Sequence, residues 1–210
     1  MSDIPLLLQQ LREELHTQAQ KDAEGTDTEP EELVVVPVAP AVVAAATQRY
    51  SLPPAYQDYF TTLGRHGLAI LPGPFQELIL YSAPELDRAQ VGFRGPRLHD
   101  DAFVAPHGWR RTWVVIAYDS GDPYFIDTTK NLPDGDSPIW TAMHGTGTWE
   151  PLLAASSLAH FLQILRVWAR IVVAHHDRQN PDEPLDDAHL RRLTNELRQV
   201  DAEAADHWTI

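Results

Sequence analysis

Ser51–Tyr81, SLPPAYQDYFTTLGRHGLAILPGPFQELILY, holds a helix and two strands in one run. Tyr56, Tyr59, Phe60 and Leu63 recur at steps of three and four, which places them on one face of a helix over Pro53–Leu63. That helix is opened either by Ser51 as a cap or by a turn at its two prolines. Gly64 and Gly67 stop it, because the residue after a helix often needs a positive φ. Leu68–Leu71 and Glu77–Tyr81 then read as strands joined through Pro72-Gly73-Pro74.

Downstream, Trp113–Thr128, WVVIAYDSGDPYFIDT, is a β-hairpin in which Thr112–Ala117 pairs with Tyr124–Asp127 across a Ser-Gly-Asp turn. Ser137–Met143 and Trp149–Leu153 form a further pair, with Gly145 and Gly147 between them. Ser82 caps a short helix over Ala83–Ala89, and Val91–Gly108 is irregular. Leu158–Ala174 is the most apolar helix, opened by Ser156 or Ser157. Its Leu158, Phe161, Leu162, Leu165, Trp168, Ile171 and Val172 cover more than one face, which puts it at the centre of the core. After a polar linker, Leu190, Leu193, Leu197 and Val200 recur at coiled-coil-like spacing in a last helix over 186–203. That pattern either seals the body or seeks a partner helix.

Upstream, Ile4, Leu7, Leu8, Leu11 and Leu15 line one face of a helix over 3–20, with Ser2 and Asp3 as caps and Pro5 in the tolerant first turn. Asp22–Glu32 is an acidic linker. Leu33–Val36 reads as a short strand that Pro37 and Pro40 confine to an edge or an extended connection. Ala41–Gln48 is an alanine-rich helix.

A chain of 210 residues suits one domain with extensions, or two small ones, and can bury a core without staples. It has no cysteine, which excludes disulfides and thiolate zinc sites and suits a reducing, cytoplasmic setting. No apolar run reaches the length of a membrane span. The leucines near the start lack the basic flank and small-residue cleavage site of a signal peptide. The formal net charge is −14, and its distribution is uneven. Residues 1–32 carry nine acids and two bases, and residues 177–210 carry nine acids and four bases. The chain thus divides into an N-terminal helix and acidic linker (1–32), a nearly balanced α+β body (33–176) and a C-terminal linker and helix (177–210). The near balance of the body and its single lysine between 33 and 176 argue against nucleic acid as a partner, because phosphate contacts need clustered Lys and Arg. The acidic ends serve either solubility alone or attraction of a basic protein.

Residue types that carry chemistry are present without the patterns chemistry needs. There are ten histidines, but no HExxH, and His175 and His176 point to different sides of their helix. Asp119, Asp122 and Asp127 surround the hairpin turn, where aspartates bond nearby amides. Gly145 and Gly147 lack the third glycine and downstream acid of a dinucleotide site. No serine sits in a nucleophile elbow. Arg166 and Arg170 lie one turn apart and pair either with nearby acids of the chain or with an acidic partner. No metal or cofactor is expected.

Five segments in order resemble the SUKH superfamily, which includes fungal cell-wall-synthesis regulators and bacterial toxin-immunity proteins. They are LPPAYQDYFTTLGRHG (Leu52–Gly67), ELILYSAPEL (Glu77–Leu86), VVIAYDSGDPYFID (Val114–Asp127), the strand and loop of Pro138–Ser157, and SLAHFLQIL (Ser157–Leu165). Two departures stand out: Gly64-Arg65-His66-Gly67 replaces the family's Asn-Gly corner, and Ala44–Ala46 stand where a glutamate is frequent. The resemblance implies an α+β fold with a central, mostly antiparallel sheet and helices packed against it, plus N- and C-terminal helical extensions.

It also implies a non-catalytic protein-binding module, above all an immunity protein that occludes a cognate bacterial toxin. The acidic ends suit a basic, nuclease-type target. On loop position and residue type, Asp100, Asp101, Asp119 and Asp122 would form an acidic rim, with Trp109 and Tyr118 as aromatic anchors. The alternative is a regulatory scaffold that captures an enzyme of cell-wall synthesis through the last helix. Deleting 177–210 would then abolish capture and leave the body folded. A third reading is a hydrolase that uses the hairpin aspartates or His144 as acid–base groups.

Overall fold

The computed structural model describes residues 3–23, 35–71, 77–93, 108–175 and 184–208. Six strands form one fully antiparallel sheet whose spatial order follows the chain: β1 (Leu68–Ile70), β2 (Leu78–Leu80), β3 (Trp113–Asp119), β4 (Asp122–Asp127), β5 (Ile139–Thr141) and β6 (Leu152–Ala155). Helices α1 (Ile4–Ala23), α3 (Ala55–Leu63) and α5 (Leu158–Trp168) supply most of the layer against its inner face, with α2 (Pro40–Tyr50) beside α3; the short α4 (Leu86–Ala89) lies between β2 and β3 in the chain. The α+β expectation is met.

Period-two alternation sorts the strand residues. Val114, Ile116, Tyr124, Ile126 and Ile139 face the helices in the main core. Trp113, Val115 and Phe125 face the other way, into a second cluster. The main core draws on all three segments that the charge distribution separates. Leu8 and Leu11 of α1, Tyr59 and Phe60 of α3, and Phe161 and Leu165 of α5 meet in it. So do Leu193 and Leu197 of α6 (Asp187–Val200) and Trp208 of the short α7 (Ala205–Trp208).

Local rules set the element ends, with some differences from expectation. Ser51 does not open α3. It closes α2, adopting a left-handed φ of 52° while its amide bonds the last carbonyls of that helix. Of the two alternatives the proline turn opens α3, with Pro54 as its first flanking residue. Gly64 does take the positive φ, 83°, that ends α3. Gly67 does not: a side chain there would meet the carbonyl of Leu80, so its role is close strand approach. Val35 and Val36, the described part of the expected first strand, join no strand; the Val36 carbonyl accepts from Arg65 N (2.7 Å) where the chain crosses Gly64. Arg12 of α1 donates to the carbonyls of Thr62 (2.8 Å) and Leu63 (2.7 Å), satisfying the free end of α3.

The start of α5 is over-determined. Ser157 Oγ accepts from His160 N (3.0 Å), so it is the cap. Asp136 reaches across to accept from the amides of Leu158 (2.9 Å) and Ala159 (3.3 Å). Ser156 instead donates its amide (2.6 Å) and hydroxyl (2.9 Å) to Asp201, which ties the end of α6 to the sheet. The helix continues past Trp168 into a π-turn over Ala169–Val173. Arg166 and Arg170 both pair with Glu14 of α1, and Arg170 also pairs with Glu196 of α6. Intramolecular acids therefore take both arginines.

Candidate functional site

The β3–β4 hairpin is the middle of the sheet, and its two faces differ in chemistry. Ser120 (φ 50°) and Gly121 (φ 116°) form a two-residue turn with both φ values positive, the geometry that matches strand twist. A bulge between Val115 and Ala117 keeps Ala117 opposite Tyr124, so Asp119, Asp122 and Tyr124 share the inner face.

Asp119 is fully buried and Asp122 nearly so. Asp122 Oδ1 accepts from the amide of His144 (2.7 Å) and lies 2.7 Å from its Nδ1. The His144 ring lies so close to Gly121 that a Cβ there would come within 2.6 Å of Nδ1. The Tyr124 hydroxyl is buried beneath these groups and has no hydrogen-bond partner among the described residues. Burial raises its pKa well above the usual phenol value, and Asp119 and Asp122 add to that. His207 of α7 packs over the Tyr124 ring at 6.2 Å. Burial lowers its pKa, against the opposing pull of Asp122. Both aspartates and the Tyr124 hydroxyl are closed off here, while the His144 ring that covers Asp122 is exposed.

Three other buried carboxylates are equally committed. Asp127 accepts from Thr129 N (3.1 Å), Thr129 Oγ1 (2.7 Å) and Trp113 Nε1 (3.3 Å). Asp136 holds the start of α5, as above, and Asp201 accepts from Ser156 and from Ala204 N (3.3 Å). Among the described residues, no three His, Asp or Glu side chains are grouped so as to hold a metal ion.

The outer face is aromatic. Trp113 stacks on Phe125 at 4.6 Å, and Trp109 lies edge-on to Trp113 at 5.2 Å. Phe93 and Trp149 pack around Trp109 at 4.6 and 5.6 Å. Trp140 sits opposite Phe125 across β4–β5. Tyr81, Tyr118 and Trp140 remain half-buried at the border of this face. Gln90 finishes the outer end of β3. Its Nε2 donates to the Val115 carbonyl (2.9 Å) and its Oε1 accepts from Val115 N (3.0 Å), where β2 is too short to pair.

The six expected partner-binding residues separate accordingly. Asp100 and Asp101 lie outside the described residues. Asp119 and Asp122 are turned inward beneath α7, so an acidic rim at this turn is corrected: strand alternation from Tyr124 forces both to the packed face. Trp109 is 5% exposed and belongs to the outer cluster's interior rather than to a free surface. Tyr118 alone stands at the surface, on the outer face. Residue type gave no sign of the Gln90, Asp136 and Asp201 roles. The alternation of Trp113, Val115, Phe125 and Trp140 was the signal that marked the outer face.

A model of the SMI1 / KNR4 family (SUKH-1) matches residues 37–164, from the start of α2 into α5. No curated protein matches the chain. No described helix is long and apolar enough to cross a membrane.

Proposed function

Because the chain belongs to the SMI1 / KNR4 family (SUKH-1), we propose that it is a cytoplasmic immunity protein that binds a bacterial toxin and neutralises it by occlusion, without catalysis. The family supports a protein-binding role of the immunity or regulatory kind. The observation that carries the reading is the commitment of the buried acids. Asp122, Asp127, Asp136 and Asp201 each spend their oxygens on backbone amides that hold a turn, a loop or a helix end. Groups so employed give shape to a surface rather than reactivity. The outer face meanwhile offers Trp and Tyr side chains, which anchor protein interfaces.

The scaffold alternative loses its main support, since Leu193 and Leu197 are buried in the chain's own core rather than offered to a partner helix. The test is co-expression with the toxin-like product of the adjacent gene. Growth rescue and a co-purifying stoichiometric complex are expected. Neither rescue nor complex, with both proteins soluble, overturns the reading.

A further inference from the structure

The outer face gathers cations on a chain whose net charge is negative. Arg110 lies over the Trp113 ring at 5.4 Å and Lys130 over the Trp140 ring at 4.6 Å. Arg88 is exposed beside Tyr81, close enough to influence its phenol, as is Tyr118. None of these three cations forms an ion pair with a described residue. Three acids of this region already have partners. Asp127 is held by Thr129 and Trp113, Glu85 by Ser82, and Asp87 by Arg49 and Tyr50.

We infer that the outer sheet face, anchored by Tyr81, Tyr118 and Trp140 and rimmed by Arg88, Arg110 and Lys130, is the docking surface for an acidic segment of a protein partner. Charge complementarity selects the occupant. A chain of net charge −14 that sets three cations, none in an ion pair with a described residue, around one aromatic face presents carboxylate binders there. Guanidinium groups bind carboxylates bidentately, and Trp, Tyr and Arg are the side chains that dominate protein interfaces. Nucleic acid also stacks on aromatic rings, but the surrounding negative field repels a polyphosphate. A basic target, expected from the acidic ends, does not fit this face.

This inference rests on the protein-binding reading above and names the partner's chemistry. The intact chain is titrated, by tryptophan fluorescence at low salt, with three probes: the peptide EELEELEE, its counterpart KKLKKLKK, and the oligonucleotide dT10. The acidic peptide should bind at least tenfold more tightly than the other two. The combined R88E, R110E and K130E substitutions should abolish its binding, with K130E alone weakening it several-fold if the triple variant folds poorly. The paired substitution of the exposed acids Asp58 and Asp134 by lysine should leave the outer-face binding in place. Tighter binding of the basic peptide or of dT10, or no binding of EELEELEE, overturns the proposal. Toxin protection separates the two ideas. If the triple variant folds and protects as well as the native chain, this proposal fails and the immunity reading stands. If the native chain protects against nothing yet binds the acidic peptide through this face, the immunity reading fails alone.

Discussion

The carboxamide of Gln90 exchanges two hydrogen bonds with the backbone of Val115, at 2.9 and 3.0 Å, and so takes the place of a neighbouring strand. Only a side chain with a donor and an acceptor on one planar group can do this. Gln90 and Val115 are both buried, so water cannot substitute.

Gln90→Leu should therefore leave an amide and a carbonyl of β3 unpaired and cost about 2–4 kcal/mol. Gln90→Glu should recover part of that loss at low pH, where a protonated carboxyl again donates to the Val115 carbonyl. Urea unfolding at neutral and acid pH checks both.

Trp208 lies at the far end of the chain yet stacks on Tyr124 at 5.8 Å and donates its Nε1–H to the Ala154 carbonyl (2.8 Å). Trp208→Ala should cost about 3–5 kcal/mol. Trp208→Phe, which keeps the packing and loses the hydrogen bond, should cost about 1 kcal/mol. Deletion of 177–210 should unfold the body, opposite to the behaviour of a detachable extension. Circular dichroism melts and proteolysis of the shortened chain measure this.

Burial opposes ionisation of Asp127, but the Thr129 hydroxyl and amide, with Thr112 and Trp113, outweigh it and hold the carboxyl below its usual range. A lowered folded pKa means stability that is present above the unfolded value, about 3.9, and is lost as pH falls through the folded value. Asp127→Asn should be less stable than the native chain at pH 7, and the gap should close as the solution is acidified. Unfolding free energies across pH 2–7, where pH 7 and 2 are about 3 units above and 2 units below the reference carboxylate, give the curve directly.

His207 shows the same sign in a different window. Burial lowers its pKa in the fold, so the neutral ring is favoured there and the unfolded chain binds more protons. Its contribution is present above the unfolded value, about 6.5, and disappears as pH falls through the lower folded value. His207→Gln should flatten the dependence of stability on pH below about 6.5, while other acid-sensitive groups retain theirs. A NMR titration of the ring should report a midpoint below that of a free imidazole.

The family pattern, the strands and nearly every helix were legible in the residue order. The helical spacing of Tyr56, Tyr59 and Phe60, and the alternation around Ser120-Gly121, are local physics. The candidate surface was much less legible. Asp119 and Asp122 looked like rim acids because aspartates at turns are commonly exposed, yet the bulge at Val115–Ala117 and the inward Tyr124 bring both beneath α7. Gln90 carries no mark of its strand-completing role, because the group it bonds lies 25 residues away.

The chain alone determined which segments coil and which extend, since those choices depend on neighbours three or four positions off and on turn residues. Tertiary packing decided which acids became internal braces, which aromatic rings reached the surface, and that the last helices complete the core. Those outcomes depend on which side chains meet across the sheet, and burial and pairing over long separations are set only when the faces close on one another.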